Sequence, residues 1–182
     1  MSETMLQQTQ AGRVVDFYER FLERFPDVQT LAAARPLMVR EAWDGLGYYA
    51  RARNLHALAR GVVADGGTLP AEPNELQALP GVGPYTAHAV ATFAYERRSA
   101  PVDTNVARVL ARAFAPHLEP KRARDLTKLR RLAQEILPRT GKAAWAHNQG
   151  LMELGALVCT ARVARCPECP VRLECVTGRR QA

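Results

Sequence analysis

Four cysteines lie close together near the end of the 182-residue chain, and they are its only thiols. Cys159, Cys166, Cys169 and Cys175 follow the spacing Cys-x6-Cys-x2-Cys-x5-Cys, with a proline directly after the second and the third. Clustered cysteines indicate a metal or a cluster, because a disulfide framework distributes its bridges through a small secreted domain. A zinc module usually has two paired knuckles, whereas a cubane iron–sulfur cluster takes four cysteines around a Cys-x-x-Cys core. The spacing therefore favours an iron–sulfur cluster over zinc, with unligated structural thiols third. A closed four-thiolate shell predicts a structural role.

A short glycine-containing segment, Leu79 to Ala87 with the sequence LPGVGPYTA, joins two helical stretches. Gly81 and Gly83 permit a turn that leaves backbone N–H groups exposed at the start of the next helix. Such groups, together with the helix dipole, bind a phosphate oxygen without reading a base. A Pro-Gly turn between helices is also ordinary, so this segment alone indicates nucleic-acid binding only weakly.

Two carboxylates could do acid–base chemistry. Asp103 precedes a helix whose apolar stripe begins at Val106, so it could be the N-cap of that helix. Thr104 and Asn105 can cap a helix as well, which could leave one of the three residues for chemistry. Glu3 lies near the first residue, where a carboxylate is normally solvated, and first principles alone give it no role.

Helical periodicity dominates the elements that must position these residues. The clearest apolar stripes begin at Val14, Leu55, Val106, Leu126 and Leu151, and no sustained period-2 alternation indicates a sheet. We therefore expect an all-α fold of roughly eight to ten short helices. The proline-flanked stretch 116–121 predicts a boundary between a lobe at 1–118 and a second lobe at 119–182. Trp43 and Trp145 are expected to anchor hydrophobic cores.

The composition is that of a globular protein, with 47% hydrophobic and 24% charged residues. The net charge of +7 and the pI near 9.7 suggest a polyanionic partner. No apolar run approaches the roughly 18–20 residues that a membrane span needs, so a cytoplasmic, nucleoid-associated location is expected.

The stretch 121–131 holds six basic residues and one acidic residue, Asp125. This pattern is slightly more typical of a solvated helix face than of a phosphate contact.

Five motifs occur in a fixed order along the chain: SETMLQQTQ at 2–10, GLGYYAR at 45–51, the segment 79–87, VDTNV at 102–106, and the cysteine spacing. Together they closely resemble the catalytic core of the adenine DNA glycosylases of the MutY type. That group belongs to the helix-hairpin-helix superfamily, which also contains endonuclease III. The resemblance runs from Ser2 to Cys175. It implies an all-α helix-hairpin-helix fold with a helical-barrel lobe that carries the hairpin, and a second lobe with a [4Fe-4S] cluster loop at 159–175.

The resemblance implies roles for the acids and their neighbours. Glu3 would be the general acid that protonates the adenine ring. Asp103 would stabilise the oxocarbenium-like sugar, directly or through a transient covalent bond. Tyr85 and Asn105 would support these two acids. The chemistry agrees, since N-glycosidic cleavage needs one protonated carboxylic acid near the base and one ionised carboxylate near the anomeric carbon.

The resemblance also implies contacts with DNA. Gln8 and Tyr48 would intercalate and fill the space left by the extruded base, whose extrusion costs a few kcal/mol. Gly81, Val82 and Gly83 would contact the DNA backbone. Gln149 and Met152 would line the adenine pocket. The expected partner is double-stranded DNA that contains a mispaired or damaged base. The protein is expected to bind it as a monomer, and no membrane partner is expected.

Only three of the 25 basic residues are lysines, namely Lys121, Lys128 and Lys142. A glycosylase-lyase of this superfamily attacks the sugar with a lysine amine and forms a Schiff base. The corresponding position resembles Tyr85 here, and none of the three lysines is near the hairpin or Asp103 in sequence. We therefore expect a monofunctional enzyme that leaves an abasic site.

Compared with the family pattern, two parts are expected to be missing. One is a segment before the first motif that includes a Leu-Pro-Trp-Arg stretch, and the other is a C-terminal domain that recognises 8-oxoguanine. Three functions remain open: an adenine glycosylase acting opposite 8-oxoguanine or guanine, a thymine glycosylase acting on T·G mismatches, and a catalytically impaired DNA-binding iron–sulfur protein. Gln7-Gln8-Thr9-Gln10 and Gln149 favour adenine over thymine.

Overall fold

The computed structural model describes residues 1–180, and within that range the chain is all-α, as predicted. The range contains eleven α-helices, one π-helix and one 3₁₀-helix. The predicted number of helices, eight to ten, is too low. Three of the α-helices have only five residues each, which is too few to show an apolar stripe in the sequence. None of the helices in this range is long and apolar enough to span a membrane. Gln181 and Ala182, the last residues of the predicted second lobe, lie outside the described residues.

The chain divides into two compact units, Met1–Ala87 and the part from His88 onward. This division differs from the expected boundary at 118 and 119, which falls inside the second unit. The physical reason is that the helix beginning at Thr104 shares a hydrophobic core with the helices that follow it, through Val106, Leu110 and Leu129. The prolines around residue 116 mark a turn within that core.

The first unit is built on a large-residue core. Its helices are α1 Ser2–Leu6, α2 Ala11–Arg24, α3 Val28–Ala33, α4 Pro36–Ala42, α5 Ala50–Ala64, α6 Pro73–Gln77 and the start of α7 Pro84–Tyr95. Trp43 is fully buried, as expected, and packs edge-on against Phe21 with ring centroids 6.0 Å apart. Met5 of α1 is also fully buried in this core. Burying such a side chain contributes about 1.5–3 kcal/mol, so it anchors the short first helix.

The second unit contains α8 Thr104–Phe114, α9 Ala123–Glu135, α10 Gly141–Glu153, a π-helix Leu154–Val158, a 3₁₀-helix Cys166–Glu168 and α11 Val176–Arg180. Small side chains such as Ala107, Ala133 and Ala144 let its helices approach closely. The expectation for Trp145 is wrong: it is 39% exposed and only leans edge-on against Phe93. On α10 it follows the fully buried Ala144 and precedes the exposed Ala146, so the small alanine occupies the core side of the helix at this point.

The basic stretch at the start of α9 is solvent-exposed and locally paired. Arg122 forms an ion pair with Glu119 at 2.9 Å, and both side chains are more than half exposed. Arg124 and Lys128 lie 3.6 and 4.0 Å from the carboxylate of the buried Asp125. These contacts fit the solvated helix face that the charge pattern favoured.

Candidate functional site

The carboxyl group of Glu3 is half-buried on α1. Burial raises the pKa of Glu3 above its ordinary value of 4.5, while the Met1 amine and a hydrogen bond with Tyr85 act in the opposite direction. Because loss of water penalises the charged form, the protonated acid is more populated here than on an open surface. The environment of Glu3 suits a proton donor.

Helix α1 is held in place by contacts with the first turn of α7. Tyr85 hydrogen-bonds the Glu3 side chain, and the Gln7 amide Nε2 donates to the Thr86 hydroxyl at 3.2 Å. Together with the buried Met5, these contacts fix both ends of a five-residue helix. An isolated helix of this length would not be stable in water, so the tertiary contacts are what order the acid.

The two residues expected to intercalate share an unusual backbone. Gln8 has φ +55° and Tyr48 has φ +46°, the left-handed region that non-glycine residues rarely adopt. Both side chains are exposed, and Tyr48 is 62% exposed although it is a large aromatic residue. Each residue therefore occupies a constrained turn that directs a flat side chain into solvent. Residues held in this way concentrate at functional sites.

The hairpin lies between α6 and α7, as the sequence predicts. Gly81 has φ +75°, and a Cβ there would be 2.6 Å from Asn54 Cβ on α5, so only glycine fits. Gly81, Gly83 and Pro84 are exposed, and Val82 N–H donates to the Leu79 carbonyl at 3.2 Å to close the turn. The turn is therefore packed against the first unit on one side and open to solvent on the other.

Asp103 is the N-cap of α8. Its Oδ1 accepts from the Val106 N–H at 2.7 Å, and its Oδ2 accepts from Asn105 Nδ2 at 3.2 Å. The sequence suggested that one of Asp103, Thr104 and Asn105 would not be needed to cap the helix. This is only partly right, because Asp103 itself is the cap and Asn105 donates a hydrogen bond to it. The two N–H donors hold both oxygens of this carboxyl group at the start of α8.

Asn105 is in turn held by residues near the first cysteine. Arg108 Nη2 donates to Asn105 Oδ1 at 2.9 Å and to the Gly155 carbonyl at 2.8 Å, while its Nε donates to the Cys159 carbonyl at 2.9 Å. Gly155 lies in the π-helix, and a Cβ there would approach Asn105 Cβ to 2.9 Å. The π-helix, an element that often occurs at functional sites, thus allows close contact with the start of α8.

The four cysteines line one small cavity together with Arg112 and Gly178. Arg112 Nη1 lies 3.4 Å from Cys159 Sγ, and the Gly178 N–H donates to Cys175 Sγ at 3.2 Å. Such N–H donors stabilise thiolate ligands. Within residues 1–180, no three cysteine, histidine or acidic side chains converge tightly enough for a single metal ion. Four thiolates that line one cavity could each ligate one iron of a four-iron cluster, so the residues present fit that group.

The residues expected in the base pocket lie on α10. Gln149 is half-buried and donates from Nε2 to Glu153 Oε1 at 2.8 Å. Met152 is half-buried and packs against the core of the second unit. The amide of Gln149 is thus held by Glu153 one helical turn away, and Met152 lies at the edge of the hydrophobic core of the second unit.

Three arginines that position the site were missed by the sequence analysis. Arg51 is only 8% exposed and donates to backbone carbonyls, while Arg108 and Arg112 connect α8 to the cysteine loop. A signal was present for the last two, since arginines four residues apart share one face of a helix. Arg51 lies in the GLGYYAR motif, but its residue type alone does not indicate burial.

Comparisons with known proteins agree with this arrangement. A solved structure of a thermostable thymine-DNA glycosylase has a TM-score of 0.87 and 29% sequence identity, and the match covers 98% of this chain and 82% of that one. An endonuclease III–DNA covalent intermediate gives a TM-score of 0.82 at 23% identity, covering 99% of this chain and 83% of that one, which supports the fold alone. The fold is therefore that of the helix-hairpin-helix glycosylases, as the motifs implied.

The family follows from the sequence itself. The family described as "HhH-GPD superfamily base excision DNA repair protein" matches residues 1–139, and the chain belongs to this family. An adenine DNA glycosylase from Mus musculus is 43% identical over 177 residues, covering 96% of this chain and 34% of the relative. One from Mycolicibacterium smegmatis is 43% identical over 173 residues, covering 94% and 57%. The chain thus spans between a third and three-fifths of the length of these relatives.

Proposed function

We propose that this chain is the core of an adenine DNA glycosylase, which hydrolyses the N-glycosidic bond of adenine mispaired with 8-oxoguanine or guanine in double-stranded DNA. The observation that carries the proposal is the contrast between its two carboxyl groups: burial raises the pKa of Glu3, whereas each oxygen of Asp103 accepts one hydrogen bond from an N–H group. Adenine DNA glycosylase relatives at 43% identity support the choice of base.

In the proposed reaction, Glu3 donates its proton to a ring nitrogen of the adenine. The C1′–N9 bond then breaks, and its electron pair leaves with the protonated base. The Asp103 carboxylate stabilises the oxocarbenium-like sugar, directly or as a transient covalent ester. Water adds to C1′ and loses a proton to a carboxylate, which leaves an abasic site and free adenine. Paired acid and carboxylate roles of this kind are general in glycoside hydrolysis.

The proposed DNA contacts use surfaces that are open to solvent. The exposed turn at 81–83 precedes α7, so its backbone can approach a phosphate oxygen. Gln8 and Tyr48 are the proposed wedges, and Gln149 and Met152 the proposed pocket residues. The protein is proposed to act as a monomer. Because phosphate contacts release counterions, binding should weaken with salt at a log–log slope of about −0.9 per neutralised phosphate.

We propose that the enzyme is monofunctional. A lyase step needs a lysine amine to form an imine with the sugar, but Tyr85 occupies the position next to Glu3. Lys128 lies on α9, where its amine faces Asp125 at 4.0 Å. Borohydride added during turnover on an A·8-oxoG duplex is expected to trap no covalent complex. Efficient trapping would contradict the monofunctional assignment.

We propose a structural [4Fe-4S] cluster bound by Cys159, Cys166, Cys169 and Cys175. Such a group would tie the loop after the π-helix to the start of α11, and it supplies no step of base release in this scheme. Purification without oxygen followed by elemental analysis is expected to give iron and acid-labile sulfide in equal amounts. One zinc per chain without sulfide would overturn the assignment.

A second candidate is a thymine glycosylase for T·G mismatches, which the thymine-DNA glycosylase structure at TM-score 0.87 favours. A panel of duplexes with A·8-oxoG, A·G, T·G and U·G, assayed for abasic sites, separates the candidates. Release from the two adenine duplexes supports the first proposal, and release from T·G alone supports the second. Binding to every duplex without release would indicate an impaired iron–sulfur DNA-binding protein.

A further inference from the structure

Within residues 1–180, Arg51 is a buried cation that forms no ion pair with a carboxylate. It lies in the first turn of α5 and is 8% exposed. Its guanidinium donates instead to neutral oxygens of the first unit. These acceptors are Thr4 O at 3.1 Å, Met5 O at 2.8 Å, Gln7 O, Thr9 Oγ1 at 3.2 Å, Leu46 O at 3.1 Å and Gly47 O at 3.4 Å. Burying a charge is costly, so an arrangement with so many acceptors around one group calls for a reason.

These six acceptors belong to two segments that are distant in sequence. Four lie at positions 4–9, on either side of Gln8, and two lie at positions 46–47, directly before Tyr48. Nη1 serves only the first segment, whereas Nη2 contacts Thr9 in the first segment and both carbonyls in the second. One planar group therefore holds the two turns that carry Gln8 and Tyr48, both of which have a positive φ.

The aromatic surroundings of Arg51 complete this arrangement. Its guanidinium carbon lies 5.4 Å from the ring centres of both Trp43 and Tyr48. Trp43 is fully buried, and its indole Nε1 donates to the Gly47 carbonyl at 3.1 Å. The buried Trp43 thus supports the second turn from within the core, while Arg51 reaches both the turn and the exposed ring of Tyr48.

We propose that Arg51 is a positioning residue that fixes Gln8 and Tyr48 relative to each other, so that both can enter a base stack together. The inference rests on the proposed function, because the wedges act on duplex DNA. Left-handed backbone is costly for non-glycine residues such as these two, and it persists only where neighbouring contacts enforce it. Arg51 supplies those contacts to both turns at once.

Lysine cannot replace arginine in this role. A guanidinium presents five N–H donors in a rigid plane, so it can serve carbonyls on two sides. An ammonium has one nitrogen with three donors and would reach one turn or the other. Arg51→Lys keeps the charge and much of the side-chain volume, and it removes the link between the two turns. Arg60→Lys, on the exposed face of the same helix, is the matched control.

The first test compares two substrates under single-turnover conditions. One is adenine paired with 8-oxoguanine, and the other is adenine opposite an abasic analogue, where the base is already unpaired. Since extrusion of a paired base requires the wedges, Arg51→Lys is expected to slow release from the paired substrate about 10- to 100-fold and from the unpaired one less than about threefold. Arg60→Lys is expected to change neither. Equal loss on both substrates would show a merely structural role and overturn the inference.

The second test measures the wedges without turnover. 2-Aminopurine placed beside the mispair brightens when the stack opens, so wild-type protein is expected to raise its fluorescence and Arg51→Lys to raise it much less. Combining Arg51→Lys with Gln8→Ala and Tyr48→Ala should cost nothing beyond the wedge variants alone. Additive losses would contradict the inference. If wild type opens the stack but releases no base, the proposed function fails while the inference stands.

A milder variant covers the case in which Arg51→Lys does not fold. Thr9→Val removes one of the six acceptors of Arg51, the hydroxyl at 3.2 Å from Nη2, together with the long hydroxyl contact to the Gln7 carbonyl at 3.4 Å, and it keeps the shape of the side chain. We expect it to lower the 2-aminopurine signal and the release of paired adenine about two- to fivefold, a modest loss because the five other acceptors of Arg51 remain. Unchanged values for both readouts, with the melting temperature preserved, would overturn the inference.

Discussion

The first unit and the second unit each present a carboxyl group, and the two groups are held in opposite ways. Glu3 is surrounded mainly by protein that excludes water, and one tyrosine hydroxyl contacts it. Asp103 is exposed to a similar degree, yet a backbone N–H and an amide both donate to it. Loss of water around Glu3 raises its pKa and so favours its protonated form. The Asp103 carboxyl group is instead held by two donors at the start of a helix. The first environment suits a proton donor, and the second fixes the orientation of a carboxyl group.

The largest expected effect comes from Asp103→Asn. Asparagine caps a helix about as well as aspartate, so the fold should persist while the negative charge is lost. Base release from an A·8-oxoG duplex is expected to fall by at least about 10²–10³-fold, the range for removal of one electrostatic contact to a transition state.

Asp27→Asn is the matched control for this variant, because Asp27 caps α3 by accepting from Thr30 N–H at 2.7 Å. Both variants should melt within a few degrees of wild type, and only Asp103→Asn should lose activity. Undiminished base release by Asp103→Asn would show that the charge of Asp103 has no role in the reaction.

How much of this site the sequence predicts depends on the range of the interactions. Asp103 as a cap and the helix that follows it are local features, and both were predicted from neighbouring residues. The cysteine spacing is local as well. The raised pKa of Glu3 comes from burial and is offset in part by Tyr85, a residue 82 positions later, and the role of Arg51 depends on two loops that lie about 40 positions apart. No short sequence window contains those pairs, so only the resemblance identified Glu3, and nothing identified Arg51.

Glu3→Gln sharpens the other half of the comparison. The amide cannot donate a proton as an acid does, so release is expected to fall about 10²-fold or more. The pH dependence of the rate tests the same role. Wild type needs protonated Glu3, so its rate should decline as the pH rises through a pKa that burial has placed above 4.5. Glu3→Gln should lack that decline, and Glu19→Gln on the exposed face of α2 should retain it. A decline that persists in Glu3→Gln would assign the titration to another group.

Asn105→Ala tests whether the donors on Asp103 matter beyond the backbone cap. The change removes the Nδ2 contact at 3.2 Å and leaves Arg108 Nη2 without one of its acceptors, but the Val106 N–H stays in place. One hydrogen bond to a charged group corresponds to about a tenfold loss of rate. Thr104→Ala, next to it on the exposed face, should have no effect on release. Equal rates for Asn105→Ala and wild type would mean that the helix cap alone holds the carboxylate.

Tyr85→Phe is expected to have the smallest effect on rate and the most informative effect on pH dependence. The Tyr85 hydroxyl lowers the pKa of Glu3 against the larger effect of burial, so its removal should raise that pKa further. The decline of the rate should therefore begin at a higher pH in Tyr85→Phe than in wild type. A weaker hold on Glu3 should also slow release a few-fold at low pH, one neutral hydrogen bond being worth about 1 kcal/mol. The ratio of wild-type to variant rates should consequently fall as the pH rises.

Tyr95→Phe at the end of the same helix is the matched control. A decline that moves to lower pH in Tyr85→Phe would show that the hydroxyl stabilises the protonated form of Glu3, and the contrast with Asp103 would then need another cause.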